Sequence, residues 1–145
     1  MSTIRKKTVQ GLRVGDSFAV SRTFTEEDVR DFARVTRDQN PVHFNGRFAE
    51  FKGFSGRICH GLLVAGILTE IGGQIGWLAS GMDFRFKKPV YFGDTVTCTC
   101  AVTEISARLR ARAKAVFTNQ HGEIVLEARM TGILPGPEER GIMDG

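Results

Sequence analysis

The chain has too few cysteines to be held by disulfides: three, an odd number, with Cys98 and Cys100 two apart and Cys59 remote. The same spacing offers no zinc-ligand pattern. Four prolines and 25% charged residues exclude a disordered or fibrous chain, whereas 41% hydrophobic residues suit an ordinary folded one. Long apolar runs are also missing. The longest, Gly61 to Leu68, falls far short of the roughly 20 residues that span a bilayer. The opening Met-Ser-Thr-Ile-Arg-Lys-Lys lacks the apolar stretch of a signal peptide, so a cytoplasmic location and no membrane partner are expected. There is no internal repeat and no low-complexity linker, and 145 residues are the usual size of one domain. Charge of one sign is barely in excess, 20 Lys and Arg against 16 Asp and Glu, for a net +4. Acids and bases are interspersed, which argues against a nucleic-acid partner while permitting a smaller anionic one.

What is present is an alternation of two periods. Ser17 to Phe24 is strand-like and leads into Thr25-Glu26-Glu27-Asp28, where Thr25 can cap a helix and Asp28 can reach back as in a capping box. Val29, Phe32, Ala33 and Thr36 then recur at helical spacing, and Pro41 is expected to stop that helix. Arg47 to Phe51 can add a further turn or two. From His60 to Trp77 the chain is apolar nearly all round, with small residues at Gly61, Ala65, Gly66, Gly72 and Gly73. This predicts a buried helix whose glycines are offset by close approach of a neighbouring backbone.

After Gly81 the period becomes two. Val96, Cys98, Cys100 and Val102 form one apolar row, Leu109, Ala111, Ala113, Ala115 and Phe117 a second, and Ile124, Leu126, Ala128 and Met130 a third. Asn119-Gln120-His121-Gly122 supplies a hairpin turn. With Phe84 to Val90 these rows predict a four-stranded antiparallel meander, to which the early strand adds a fifth. The expected class is α+β, a single domain over residues 1–134 in which a curled antiparallel sheet wraps one apolar helix. Its uncovered strand edge predicts a homodimer or an assembly of dimers. Pro135 to Gly145 carries no periodicity and is expected to fray.

The segment richest in chemistry is Asp38-Gln39-Asn40-Pro41-Val42-His43. An acid and an imidazole lie five residues apart across a rigid proline break, so the two can converge and share one water molecule. Equally, Asp38 can cap a turn and His43 can be a surface or core histidine. At Ile58-Cys59-His60-Gly61 a helix N-terminus with a glycine offers free N–H groups to an oxyanion such as a thioester oxygen, or else Gly61 simply packs and His60 sits at the cap. Cys59 reads as packing. Arg85, Lys87 and Lys88 before Pro89, and the stripe Arg108, Arg110, Arg112 and Lys114, can meet phosphates or form the solvated face of a sheet. Leu62, Leu63, Ile67, Phe54 and Trp77 are apolar candidates for a pocket lining or for core.

Taken in order, Asp38-x-Asn40-Pro41-x-His43, Ala49, Ile58-Cys59-His60-Gly61-Leu62-Leu63, Phe86-Lys87-Lys88-Pro89-Val90 and Gly93-Asp94-Thr95-Val96 resemble the MaoC-like dehydratases, which include the (R)-specific enoyl-CoA hydratases. The resemblance runs from about Phe24 to Leu134. It implies a hot-dog fold, Asp38 and His43 as the catalytic pair, and the Gly61 N–H as oxyanion donor. Asn40 and Leu62 are then expected at the substrate and Arg85, Lys87 and Lys88 at the CoA phosphates. The implied reaction is reversible syn hydration of a trans-2-enoyl thioester to an (R)-3-hydroxyacyl thioester, with acyl-CoA as substrate and no metal or redox cofactor. The chain departs from the family pattern twice: Thr36-Arg37 stands where a Ser/Thr-Gly pair precedes the aspartate, and Gly66 where a serine is common. A thioesterase on the same fold and a non-catalytic acyl-CoA binding module are the competing expectations.

Overall fold

The computed structural model describes residues 1–145. Helix α1 (Thr3–Gln10) precedes strand β1 (Ser17–Thr23) and helix α2 (Glu26–Thr36). The capping box at α2 forms as read: Thr25 Oγ1 accepts the Asp28 N–H at 3.2 Å, and Asp28 Oδ2 accepts the Thr25 N–H at 3.0 Å. Pro41 is not what ends α2. The helix stops at Thr36 because Arg37 turns left-handed, φ 63°, with its N–H returned to the Ala33 carbonyl at 2.7 Å. Left-handed backbone costs a side-chain-bearing residue roughly 1–2 kcal/mol, which accounts for glycine at this place in the family pattern. Arg37→Gly is expected to stabilise the fold by about 1 kcal/mol, raising the melting temperature by roughly 2–4 °C, as calorimetry would show. An unchanged or lower melting temperature would contradict it.

One 3₁₀ turn (Pro41–His43) and helix α3 (Gly46–Phe51) follow. The predicted central helix is two pieces, α4 (Gly61–Ala65) and α5 (Ile67–Ile75). At Gly66 the ladder tightens, its N–H shared between the Leu62 and Leu63 carbonyls at 3.1 Å each, and an added Cβ would stand 2.9 Å from the Leu63 oxygen. Gly66 therefore meets its own preceding turn, and Gly61 meets the Phe86 ring; neither is approached by the backbone of another element. Ile67, Leu68, Ile71 and Ile75 of α5 are buried, each worth about 1.5–3 kcal/mol of apolar transfer.

Strands β2 (Leu78–Phe86), β3 (Thr95–Ile105), β4 (Arg110–Thr118) and β5 (Ile124–Ile133) complete one antiparallel sheet in the order β1-β3-β4-β5-β2. Only β3, β4 and β5 form a meander. β2 begins earlier than Phe84 and pairs with β5 at the far edge, not with β3. The predicted inward rows on β3 and β4 are buried in the core that α5 also fills, except Leu109, which precedes β4 and is partly buried. On β5 a register irregularity beside Thr118 turns Ile124 outward and Val125 inward. The residues expected to fray instead form helix α6 (Pro137–Asp144), which packs against α1. No helix is long and apolar enough to cross a membrane.

Candidate active site

Three segments meet at one end of the wrapped helix. Beyond α2 the chain leaves helical geometry at Arg37, and Asp38 Oδ1 accepts the Asn40 N–H at 3.1 Å. Asn40 Oδ1 in turn accepts the Val42 N–H at 3.1 Å, starting the 3₁₀ turn that carries His43 inward. Ile58 to Gly61 form the second segment and Phe86 to Val90 the third. A cavity of about 490 Å³ lies between them, lined by Asp38, His43, Gly61, Leu62, Lys87 and Lys88 together with Phe54, Ile58, Phe86 and Val125.

His43 is buried, and its Nδ1 lies 2.7 Å from the Ile58 carbonyl oxygen. A carbonyl only accepts, so Nδ1 carries the proton and Nε2 is the free nitrogen of a ring that lines the cavity. Burial holds His43 below the ordinary imidazole value; the Ile58 carbonyl opposes that shift, neighbouring His60 adds to it, and Asp38 opposes it. Gly61 and Leu62 open α4, where the first N–H groups have no partner within the helix. The site thus holds a carboxylate, a free imidazole nitrogen and unpartnered N–H donors around one apolar-walled space.

Not every expected residue arrives. Asn40 does not line the cavity; its amide oxygen is committed to the turn. Arg85 projects to the other side of the sheet, because alternation along β2 sends Phe86 toward Gly61 and Arg85 away, where its Nε lies 3.6 Å from Asp83. Lys88 pairs with Glu123, which leaves Lys87 as the lysine of the lining without an ion-pair partner. Arg110, Arg112 and Lys114 occupy the exposed face of β4, Arg112 paired with Glu104 at 3.3 Å. Phe54 and Leu62 line the cavity, whereas Ile67 and Trp77 belong to the core and Leu63 packs on the far side beside Phe32. Cys59 touches the cavity, but burial first, then Asp94 and Asp28, push its thiol up to about 12, so it offers no thiolate.

The residue that the sequence reading undervalued is His60. It is 2% exposed, its Nε2–H donates to the Asp38 main-chain carbonyl at 3.0 Å, and its ring stacks on His43 with centroids 3.7 Å apart at 28°. Only its place beside Gly61 hinted at this. Ligand atoms of Asp38, His43 and His60 lie within 4.8 Å of one another. As a metal chelate the set fits poorly: stacked imidazoles aim their in-plane lone pairs nearly parallel, and one nitrogen of each already faces a carbonyl.

A family model described as a MaoC like domain matches residues 13–124. An (R)-specific enoyl-CoA hydratase of Rhodospirillum rubrum is 31% identical over 130 residues, covering 87% of this chain and 90% of the relative. A mitochondrial 3-hydroxyacyl-[acyl-carrier-protein] dehydratase of Arabidopsis thaliana is also 31% identical, over 92% of this chain and 83% of its own. Among solved structures, the (R)-hydratase of A. caviae superimposes with a TM-score of 0.81 at 30% identity, covering 87% of this chain and 99% of that one.

Proposed function

The chain belongs to the MaoC-like dehydratase family, hydratase and dehydratase enzymes of acyl thioesters on the hot-dog fold, and from that premise we propose that it hydrates a short to medium trans-2-enoyl-CoA to the (R)-3-hydroxyacyl-CoA. The observation that carries this reading is the convergence of Asp38, His43 and Gly61 on one cavity. A water held between the Asp38 carboxylate and His43 Nε2 adds its oxygen to C3. The pair takes one proton from that water while C2 receives one, so the site ends in its starting protonation state. Negative charge passing onto the thioester oxygen is met by the Gly61 N–H, a donor already in place before reaction. In the reverse direction the same groups remove water from the hydroxyacyl thioester. Lys87 supports a CoA phosphate at the mouth.

The relatives differ in carrier, since one is named for CoA and another for acyl-carrier protein. The test is a spectrophotometric screen of enoyl thioesters of increasing length on both carriers, with product configuration determined and released thiol measured in parallel. Loss of the double bond with (R)-product and no free thiol supports hydration. Free thiol, or binding without turnover, points to the thioesterase or the binding module. Because burial lowers His43, its Nε2 stays unprotonated further into acid, and the acid limb of kcat/KM is expected below the ordinary imidazole value of 6.5. A limb at or above 6.5 would remove His43 from that role.

The same reading includes a homodimer. Leu78, Met82 and Phe86 leave apolar side chains exposed along the edge strand β2, and Leu62 is exposed beside them. Sedimentation equilibrium at the mass of one chain would remove this part.

A further inference from the structure

We infer that His60 is a positioning residue that holds Asp38, His43 and Gly61 in one arrangement, an inference that rests on the hydratase reading above. Residues 37–40 lie outside any helix or strand, and their other hydrogen bonds are local: Arg37 N–H to Ala33, Asp38 N–H to the Thr36 hydroxyl at 3.3 Å, Asn40 N–H to the Asp38 carboxylate, and the Val42 and His43 N–H groups to Asn40. The bond from His60 Nε2–H to the Asp38 carbonyl, 22 residues away in the chain, ties this stretch to the start of α4. The same imidazole lies face to face with His43 and opposes rotation of that ring away from the Ile58 carbonyl. Its own backbone caps α4, so Gly61 is the next residue. One residue therefore joins, through its side chain, the carrier of the carboxylate and the base, and its backbone leads directly into the oxyanion donor.

A purely structural role does not account for this choice of residue. His60 Nδ1 is buried with no hydrogen-bond partner, and an unsatisfied buried polar atom is destabilising. Phe32 at 4.8 Å and Phe44 at 6.1 Å complete an aromatic surround into which an apolar side chain would pack without that penalty. What an apolar residue lacks is the Nε2 donor.

Two variants separate the contributions. His60→Phe keeps an aromatic stack and removes the donor; His60→Gln places an amide N–H near the former Nε2 and removes the stack. Displacing a reacting group by about 1 Å costs on the order of 100-fold in rate. His60→Phe is expected to lose about that much in kcat with KM within about threefold, and His60→Gln to recover roughly tenfold of the loss. The split between kcat and KM and the rescue by glutamine are readouts that a merely structural role would not move. Wild-type kcat in His60→Phe or equal losses in both variants would overturn the inference. So would losses that simply track the melting temperature. A wild-type enzyme inert toward every enoyl thioester would instead overturn the hydratase reading, and the role of His60 with it.

Discussion

Asp38→Asn is expected to lower kcat for hydration of a trans-2-enoyl-CoA by about 10²–10⁴-fold, the usual contribution of a positioned acid or base, without lowering the melting temperature. The side chain is exposed, and asparagine retains an oxygen to accept the Asn40 N–H, so the turn survives while the negative charge is lost. His43→Ala should lose at least as much. It also leaves the Ile58 carbonyl and one face of His60 without a partner, a cost of about 1–3 kcal/mol that calorimetry would register and that rates must be corrected for. If one water is held by both groups, the double variant falls little below the worse single one, because a unit once broken is not broken twice. Losses that multiply would mean the two side chains act in separate steps. Hydration retained in both single variants would end the assignment.

The features that the sequence made legible are those fixed by near neighbours. The Thr25–Asp28 box needs four residues, the buried rows of β3 and β4 need only a period of two, and the Asn40-Pro41 turn is built within its own segment. What could not be read there depends on elements distant in the chain. β2 pairs with β5 rather than β3 because the chain crosses the wrapped helix before the meander begins, and nothing local to Phe84 records which strand it will meet. Arg85 left the site for the same reason: a residue's side of a strand is legible, but which side faces the cavity depends on where the strand lies. Arg37 disguised the end of α2, since an arginine in left-handed backbone gives none of the signal that a glycine gives. Asp38, His43 and Gly61 could be marked as candidates by type and spacing. The stack of His60 on His43 required the fold to bring Asp38 and His60 together.

Gly61→Ala is expected to damage activity while leaving stability nearly untouched, a combination that packing alone does not give. The backbone has no bar to alanine: Gly61 is the first residue of α4, its φ is not in the left-handed region, and alanine is the better helix former by about 1 kcal/mol. The obstacle is the Phe86 ring, whose Cε1 would lie 2.6 Å and Cδ1 2.9 Å from the new methyl group. Phe86 is 57% exposed in the single chain, so the ring can swing aside at small cost to the chain's own fold. Both residues line the cavity, however, and a displaced ring or a new methyl group beside the Gly61 N–H keeps the thioester oxygen from its donor. Loss of one such donor costs about 10²–10³-fold in kcat, so kcat for Gly61→Ala should fall by roughly 100-fold with the melting temperature within a few degrees. Phe86→Ala in the same chain gives the methyl group room. If ring displacement is the cause, the double variant recovers much of the loss, and the coupling between the two positions is large and favourable. No recovery would place the fault in the methyl group itself, at the donor, whereas a Gly61→Ala enzyme with wild-type kcat would mean that the thioester oxygen is held elsewhere.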